Sequence, residues 1–140
     1  MLKRKDTAWS PDTVWQHLSR GDPLYILDLR STEEFGNWRV EGPHPVPVEN
    51  VPYWELLDLD EAEDVTAAAL AGVRQQLMER LPHDRTILAV CPEGHTSGYV
   101  AEALRQLDFD AVNLDGGMEA WGKFYYWRPV VEEAHFALYQ

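Results

Sequence analysis

One short segment carries the residues best suited to chemistry: Cys91, Pro92, Glu93, Gly94, His95, Thr96 and Ser97. Cys91 is the only cysteine of the chain, and a thiolate is a strong nucleophile. Gly94 lets the backbone curl, and Thr96 or Ser97 could cap a helix that begins there. The N–H groups of that first turn would then point at the sulfur and stabilise a thiolate or a persulfide anion. The alternative is an inert, apolar cysteine that ends a buried strand.

The elements on either side of this segment predict where it lies in the fold. Residues 86–90 form a short, continuous apolar run, which is typical of a parallel strand covered on both faces. Val100, Leu104 and Leu107 follow at helical spacing. In an open α/β sheet, ligands bind at the carboxyl ends of the strands. Cys91 is therefore expected at the edge of the sheet where such folds carry their sites.

The rest of the chain alternates between predicted strands and helices. Ser10-Pro11 begins a helix that Gly21 ends, and Ser31 with Glu34 forms a capping-box pattern. Strands are predicted over residues 24–27 and 111–114, a short edge strand within 42–52, and helices over 65–77 and after 117. This alternation predicts one α/β domain over residues 1–140, with an open, mainly parallel sheet and helices on both faces. The aromatic-rich tail, residues 124–140, either packs on that core or offers a contact surface.

The formal net charge of −12 bears on the possible partners. It would repel a phosphate backbone, so we expect no nucleic-acid partner and no binding to an anionic membrane. Apolar residues make up 45% of the chain, which is enough for a core that needs no disulfide or metal. No run approaches the roughly 20 apolar residues of a membrane span, and the charged start leads into no signal-like stretch. A cytoplasmic location is the expectation.

Four segments of the sequence resemble the rhodanese family. The pattern V-C-x-x-G-x-x-S over residues 90–97 is similar to the active-site loop of that family, and residues 114–121, LDGGMEAW, resemble a common family ending. Upstream, residues 26–30 with Glu34-Phe35 are similar to the first family signature, and residues 50–52 to the end of the second. The resemblance covers about residues 11–121 and implies a rhodanese-like fold.

The resemblance also implies an activity. Cys91 would take sulfane sulfur from thiosulfate, or from a small or protein persulfide, and hold it as a covalent persulfide. A thiol, cyanide or a sulfur-accepting protein would then remove it, with no cofactor and no metal. The backbone amides from Glu93 to Ser97 would form the cradle, and the six-residue loop from Cys91 through Thr96 has the length associated with sulfurtransferases.

Asp28 and Arg30 match a pair that supports the site in the rhodanese family. A purely structural ion pair at a strand end explains the two residues at least as well. The segment over residues 38–43, WRVEGP, replaces the usual Gly-His-Ile-Pro-Gly run, so we expect that loop to follow a different path.

Two residues of the cysteine loop bear on the choice of donor. His95 stands where many family members place a fixed cation or another residue, and a histidine is only partly charged near neutral pH. Glu93 adds a negative charge beside the expected sulfur site. Together they disfavour thiosulfate relative to a persulfide donor, unless both side chains simply face water.

Other chemistries of a lone cysteine fit the sequence less well. A cysteine phosphatase needs an arginine six residues after the cysteine, and that position is Ser97. Zinc binding through Cys91 and His95 lacks two further ligands at suitable spacing, and peroxide reduction lacks a resolving cysteine. The alternative that stays open is a non-catalytic, rhodanese-like binding or regulatory module, for which exposed aromatic residues at 125–127 would provide an interface.

Overall fold

The computed structural model describes residues 6–62 and 64–138 of the chain, and all strands in this part belong to one sheet. The strands are β1 (Ala8–Trp9), β2 (Leu24–Asp28), β3 (Val48–Asn50), β4 (Thr86–Val90) and β5 (Ala111–Leu114). Every neighbouring pair is parallel, and the order across the sheet is β1-β5-β4-β2-β3. The prediction of an open, mainly parallel sheet is therefore confirmed, with β4 at its centre and β3 at one edge.

Helices cover both faces of this sheet, as the sequence predicts. They are α1 (Pro11–Arg20), α2 (Thr32–Asn37), α3 (Tyr53–Leu56), α4 (Val65–Gln76), α5 (Thr96–Gln106) and α6 (Gly117–Leu138). Side chains alternate along β4: Ile87 and Ala89 join the buried cluster that includes α4 and α5. Leu88 and Val90 join the opposite cluster, which includes α1 and α6. The strand nearest the cysteine is thus buried on both faces, which explains its uninterrupted apolar sequence.

The local signals at helix ends are mostly confirmed. The Ser10 side chain accepts a hydrogen bond from the Thr13 N–H, and Gly21 ends α1 in the left-handed conformation with φ +74°. Ser31 and Glu34 form both bonds of the predicted capping box. The predicted cap of α5 is wrong: His95 occupies the N-cap position, without a side-chain cap bond.

The predicted tail continues α6 without a break as far as Leu138. Phe124 packs against the core cluster of α1 and α6, while Tyr126 and Trp127 are 74% and 57% exposed. Phe124 thus packs on the core, whereas Tyr126 and Trp127 do not, and the choice between the two alternatives for the tail stays a prediction; residues 139–140 lie outside the described part. No described helix is both long enough and apolar enough to cross a bilayer.

Candidate active site

Cys91 directly follows β4 and lies at the carboxyl edge of the sheet. Its neighbour Val90 is in register with Asp28 of β2, and the Leu29 N–H donates to the Val90 carbonyl at 2.8 Å. The cysteine itself is only 2% exposed. The thiol therefore lies where a parallel α/β sheet carries its ligands, as the sequence predicts.

Three donors converge on the Cys91 sulfur. The Gly94 N–H lies 3.1 Å from Sγ and the Ser97 N–H 3.3 Å, and the Ser97 hydroxyl contacts Sγ at 3.1 Å. Gly94 reaches this position with φ +89°, a left-handed conformation that other residues adopt only with strain. Among the described residues, Gly94 and Ser97 provide all the hydrogen bonds to Sγ.

Ser97 was predicted as a possible cap of α5, and the structure gives its hydroxyl a different role. The residue is fully buried in the first turn of α5, with Oγ turned toward the sulfur and toward Asn113. The hydroxyl is thereby occupied and does not cap the helix, while Thr96, the other predicted cap, is the first residue of α5.

The predicted cradle is only partly engaged with Sγ itself. Of the five amides from Glu93 to Ser97, those of Gly94 and Ser97 contact the sulfur. In the described part of the chain, the N–H groups of Glu93, His95 and Thr96 donate to no acceptor. These three N–H groups belong to the same short loop and helix start as the two that contact the sulfur.

The first turn of α6 holds the cysteine loop in place. The Met118 N–H donates to the Cys91 carbonyl and the Glu119 N–H to the Pro92 carbonyl, both at 3.0 Å. Gly117, with φ +61°, has no room for a side chain: a Cβ there would lie 2.4 Å from the Cys91 carbonyl oxygen and 2.6 Å from the Gly94 nitrogen. The missing side chain of Gly117 therefore makes room for the cysteine loop.

Asn113, in β5, is a site residue that the sequence analysis missed. Its Nδ2 donates to the Gly94 carbonyl at 2.9 Å, and its Oδ1 accepts from the Ser97 hydroxyl. The sequence of this four-residue strand does not indicate that the Asn113 side chain contacts a loop 16 residues earlier. No local signal could therefore have predicted Asn113 as a site residue.

Asp28 and Arg30 form a buried ion pair beside the loop. Arg30 donates to the Asp28 carboxylate through Nε and Nη2, at 3.1 and 2.9 Å, and through Nη2 also to the Trp38 carbonyl at 2.6 Å. Asn50 of β3 donates to the carbonyls of both Asp28 and Arg30. Within the described residues neither side chain contacts Sγ; the pair joins the end of β2 to the end of α2, and Asn50 ties the same segment to β3.

Glu93 and His95 both point into solvent. Their side chains are 66% and 81% exposed, and His95 Nε2 lies 3.8 Å from Glu93 Oε2. An exposed pair at this distance contributes little to stability. Neither side chain hydrogen-bonds to the sulfur, so any influence on a donor acts through the field at the mouth of the site.

Comparison with known proteins agrees with this geometry. The family model described as Rhodanese-like domain matches residues 10–124, most of the chain. The chain belongs to this family. The earlier resemblance, placed over about residues 11–121, is thereby confirmed.

Individual relatives of this rhodanese-like chain are distant. It is 27% identical over 120 residues to the "Probable adenylyltransferase/sulfurtransferase MoeZ" of Mycobacterium tuberculosis, covering 85% of this chain and 25% of that protein. The chain thus spans about a quarter of the length of that curated relative. A rhodanese-like domain protein from Staphylococcus aureus has a similar fold, with a TM-score of 0.57, 23% identity, and 82% and 90% of the two chains covered. A single-domain sulfurtransferase from Saccharomyces cerevisiae gives a TM-score of 0.51 at 14% identity, with 86% and 92% covered.

Proposed function

We propose that this chain is a sulfurtransferase that carries sulfane sulfur as a persulfide on Cys91. The observation that carries the proposal is the set of three donors around a buried sulfur, two of them backbone N–H groups. Such donors stabilise negative charge in a region that excludes water. An inert core cysteine needs none of them. Membership of the rhodanese-like family and the printed name of the Mycobacterium tuberculosis relative support the same activity.

The proposed cycle has two displacements at sulfur. First, the Cys91 thiolate attacks the outer sulfur of a donor, R–S–S⁻ or thiosulfate. The donor's S–S bond breaks, its thiolate or sulfite leaves with the electron pair, and a new bond joins Sγ to the transferred sulfur. Second, an acceptor thiolate or cyanide attacks that outer sulfur, and the electron pair of the Sγ–S bond returns to Cys91. The enzyme ends unchanged, and no cofactor or metal takes part.

The loop amides are the groups proposed to hold the outer sulfur. Gly94 and Ser97 already donate to Sγ, whereas the N–H groups of Glu93, His95 and Thr96 have no acceptor in the described part of the chain. The outer sulfur of a persulfide anion lies one bond beyond Sγ, so it needs hydrogen-bond donors other than those that contact Sγ. The free N–H groups of the same loop are proposed to provide them. Backbone donors on a curled loop form the kind of concave site that binds anions.

Charge at the mouth of the site favours a persulfide over thiosulfate as the donor. No described side chain cation contacts Sγ, and Glu93 stands in the loop with its own charge. Thiosulfate brings two negative charges, whereas a persulfide on a small thiol or on a partner protein brings one at the reacting end. A reducing compartment such as the cytoplasm would keep Cys91 as a thiol between turnovers.

The test is steady-state transfer to cyanide, read as thiocyanate, with thiosulfate and glutathione persulfide as alternative donors. We expect faster loading from the persulfide. We also expect Glu93→Gln to raise the thiosulfate rate, because it removes a negative charge from the loop that this doubly negative donor approaches; the gain should be modest, because the Glu93 side chain is 66% exposed and therefore screened by water. His95→Gln, which changes the neighbouring side chain without removing a negative charge, is the matched control. Folded wild-type protein that transfers sulfur from neither donor would contradict the proposal.

The binding-module alternative keeps one observation in its favour. Tyr126 and Trp127 on α6 are exposed large aromatic side chains, and residues of this kind are enriched in interfaces. A module of this type would bind a partner through that surface and leave Cys91 unused. Absence of sulfur transfer together with loss of partner binding in Trp127→Ala would favour it.

A further inference from the structure

The Ser97 hydroxyl has one proton and two neighbours that can accept it. Oγ lies 3.1 Å from the Cys91 sulfur and closer still to Oδ1 of Asn113. A hydroxyl donates one hydrogen bond and accepts through its lone pairs. It therefore donates to either the sulfur or the amide oxygen at any one time.

The orientation of the Asn113 amide is fixed by its other contact. Nδ2 donates to the Gly94 carbonyl at 2.9 Å, so Oδ1 must face Ser97. The flipped amide would set Oδ1 against the Gly94 carbonyl, which places two acceptors together. Asn113 is thus an acceptor toward Ser97 in every state of the site.

Consider first the neutral thiol. Because the single Ser97 proton cannot serve both neighbours, all three groups are satisfied at once only when the Ser97 O–H donates to Asn113 Oδ1 and the S–H of Cys91 donates to Ser97 Oγ. When Cys91 loses its proton to solvent, the sulfur and Asn113 Oδ1 compete for the single Ser97 proton, and the one that does not receive it loses that donor. Leaving a buried acceptor without a partner is unfavourable.

We propose that Asn113 is a positioning residue that opposes ionisation of Cys91 by holding the Ser97 proton away from the sulfur. The two loop amides, Gly94 and Ser97, favour the thiolate, and Asn113 limits that effect. In terms of the proposed function, on which this part rests, Asn113 makes Sγ a poorer leaving group. A persulfide on Cys91, whose Sγ carries little charge, would then persist longer before an acceptor removes its outer sulfur.

Other charged groups surround the cysteine without joining this chain of hydrogen bonds. Glu93 and His95 lie on the loop and face solvent, and the buried Asp28–Arg30 pair lies at the end of β2. Beyond β5, Asp115 and Glu119 lie in the turn and in the first turn of α6, where Glu119 pairs with Lys123. These charged groups are the same in every variant described next. Their electrostatic effect on Cys91 is therefore the same in each variant and does not contribute to the differences between variants.

The test is a double-mutant cycle read by alkylation. The rate at which iodoacetamide modifies Cys91 is followed against pH; the chain has no other cysteine, so the signal has one source. Asn113→Ala should lower the pH midpoint of thiolate formation by about one unit, as one ordinary hydrogen bond would give. In a Ser97→Ala background the same substitution should leave the midpoint unchanged, because the hydroxyl through which Asn113 acts is gone. Asn113→Leu, which fills the space without an acceptor, should repeat both results and guards against poor folding of the alanine variant.

An equal shift in both backgrounds would mean that Asn113 acts only by anchoring Gly94, and would overturn the proposal. A midpoint that rises or stays constant in the wild-type background would overturn it as well. The readout needs no sulfur transfer, so a protein that proves inactive as a sulfurtransferase would still show the shift. Persistence of the persulfide is measured separately, and only that result depends on the proposed function.

Discussion

Gly117→Ala is expected to displace the cysteine loop and slow sulfur loading while the protein still folds. The added Cβ would lie 2.4, 2.6 and 2.7 Å from the Cys91 carbonyl oxygen and from the nitrogens of Gly94 and Glu93. All three are backbone atoms of the loop, so relief requires the loop itself to move. The residue must also keep φ +61°, which costs an L-residue about 1–2 kcal/mol.

The size of the effect follows from these two terms. Crowding in a packed region adds about 1–3 kcal/mol to the conformational cost, which gives a total loss of about 2–5 kcal/mol. Small domains have about 5–15 kcal/mol of unfolding free energy, so the variant should still fold. A loop displaced by about 1 Å should slow sulfur loading roughly 100-fold.

Gly116→Ala is the matched control for this experiment. Gly116 has φ +74°, and its added Cβ would meet the Ala120 side chain at 2.6 Å rather than the loop. Urea denaturation should show comparable losses of stability for the two variants, while mass spectrometry of sulfur loading should show the large rate loss only in Gly117→Ala. Equal loading rates in the two folded variants would refute the role assigned to Gly117.

Three further predictions concern the surroundings of the site. Arg30→Met leaves the Asp28 carboxylate buried without its partner and should lower the unfolding free energy by about 3–5 kcal/mol in urea denaturation; a loss below about 1 kcal/mol would contradict the buried pair. Burial, together with the hydrogen bond to Glu49, raises the pKa of Tyr25 from 10.0 to about 12. The folded state therefore keeps its phenol proton where the unfolded chain loses it, so this contribution is complete below about pH 10 and is lost as pH rises toward 12. The difference in unfolding free energy between wild type and Tyr25→Phe should accordingly stay constant below about pH 10 and change as the pH rises toward 12, and a difference that varies with pH near neutrality would be inconsistent with it. Gly36→Ala places a methyl group where nothing lies within 4 Å inside α2, and a rise of about 0.5–1 kcal/mol in unfolding free energy is expected; a loss would show that Gly36 has a role the packing does not reveal.

Much of the fold could be predicted because its signals are local. The start of α1 at Pro11, its stop at Gly21 and the capping box of α2 each depend on residues within one helical turn. The continuous apolar run of β4 reflects burial on both faces, which places the strand at the centre of the sheet. By contrast, β1 has two residues, too few for a period of two to be visible.

The candidate site could be predicted only in part. Cys91 and its loop follow from a strand, a glycine and a helix in sequence, which is again local information. The predicted cap of α5 was wrong because a hydroxyl residue near the start of a helix usually caps it, whereas the Ser97 hydroxyl contacts the sulfur and Asn113 instead. Those contacts join residues 6 and 16 positions apart across two elements. Only the packed fold brings them together.

The central claim is that Cys91 carries sulfur, and intact-protein mass spectrometry tests it most directly. Wild-type protein and Cys91→Ser are exposed briefly to glutathione persulfide and, separately, to thiosulfate. We predict that wild type gains the mass of one sulfur atom, that cyanide or a thiol removes it, and that Cys91→Ser gains nothing. No gain with either donor, in folded protein with a free thiol, would contradict the claim.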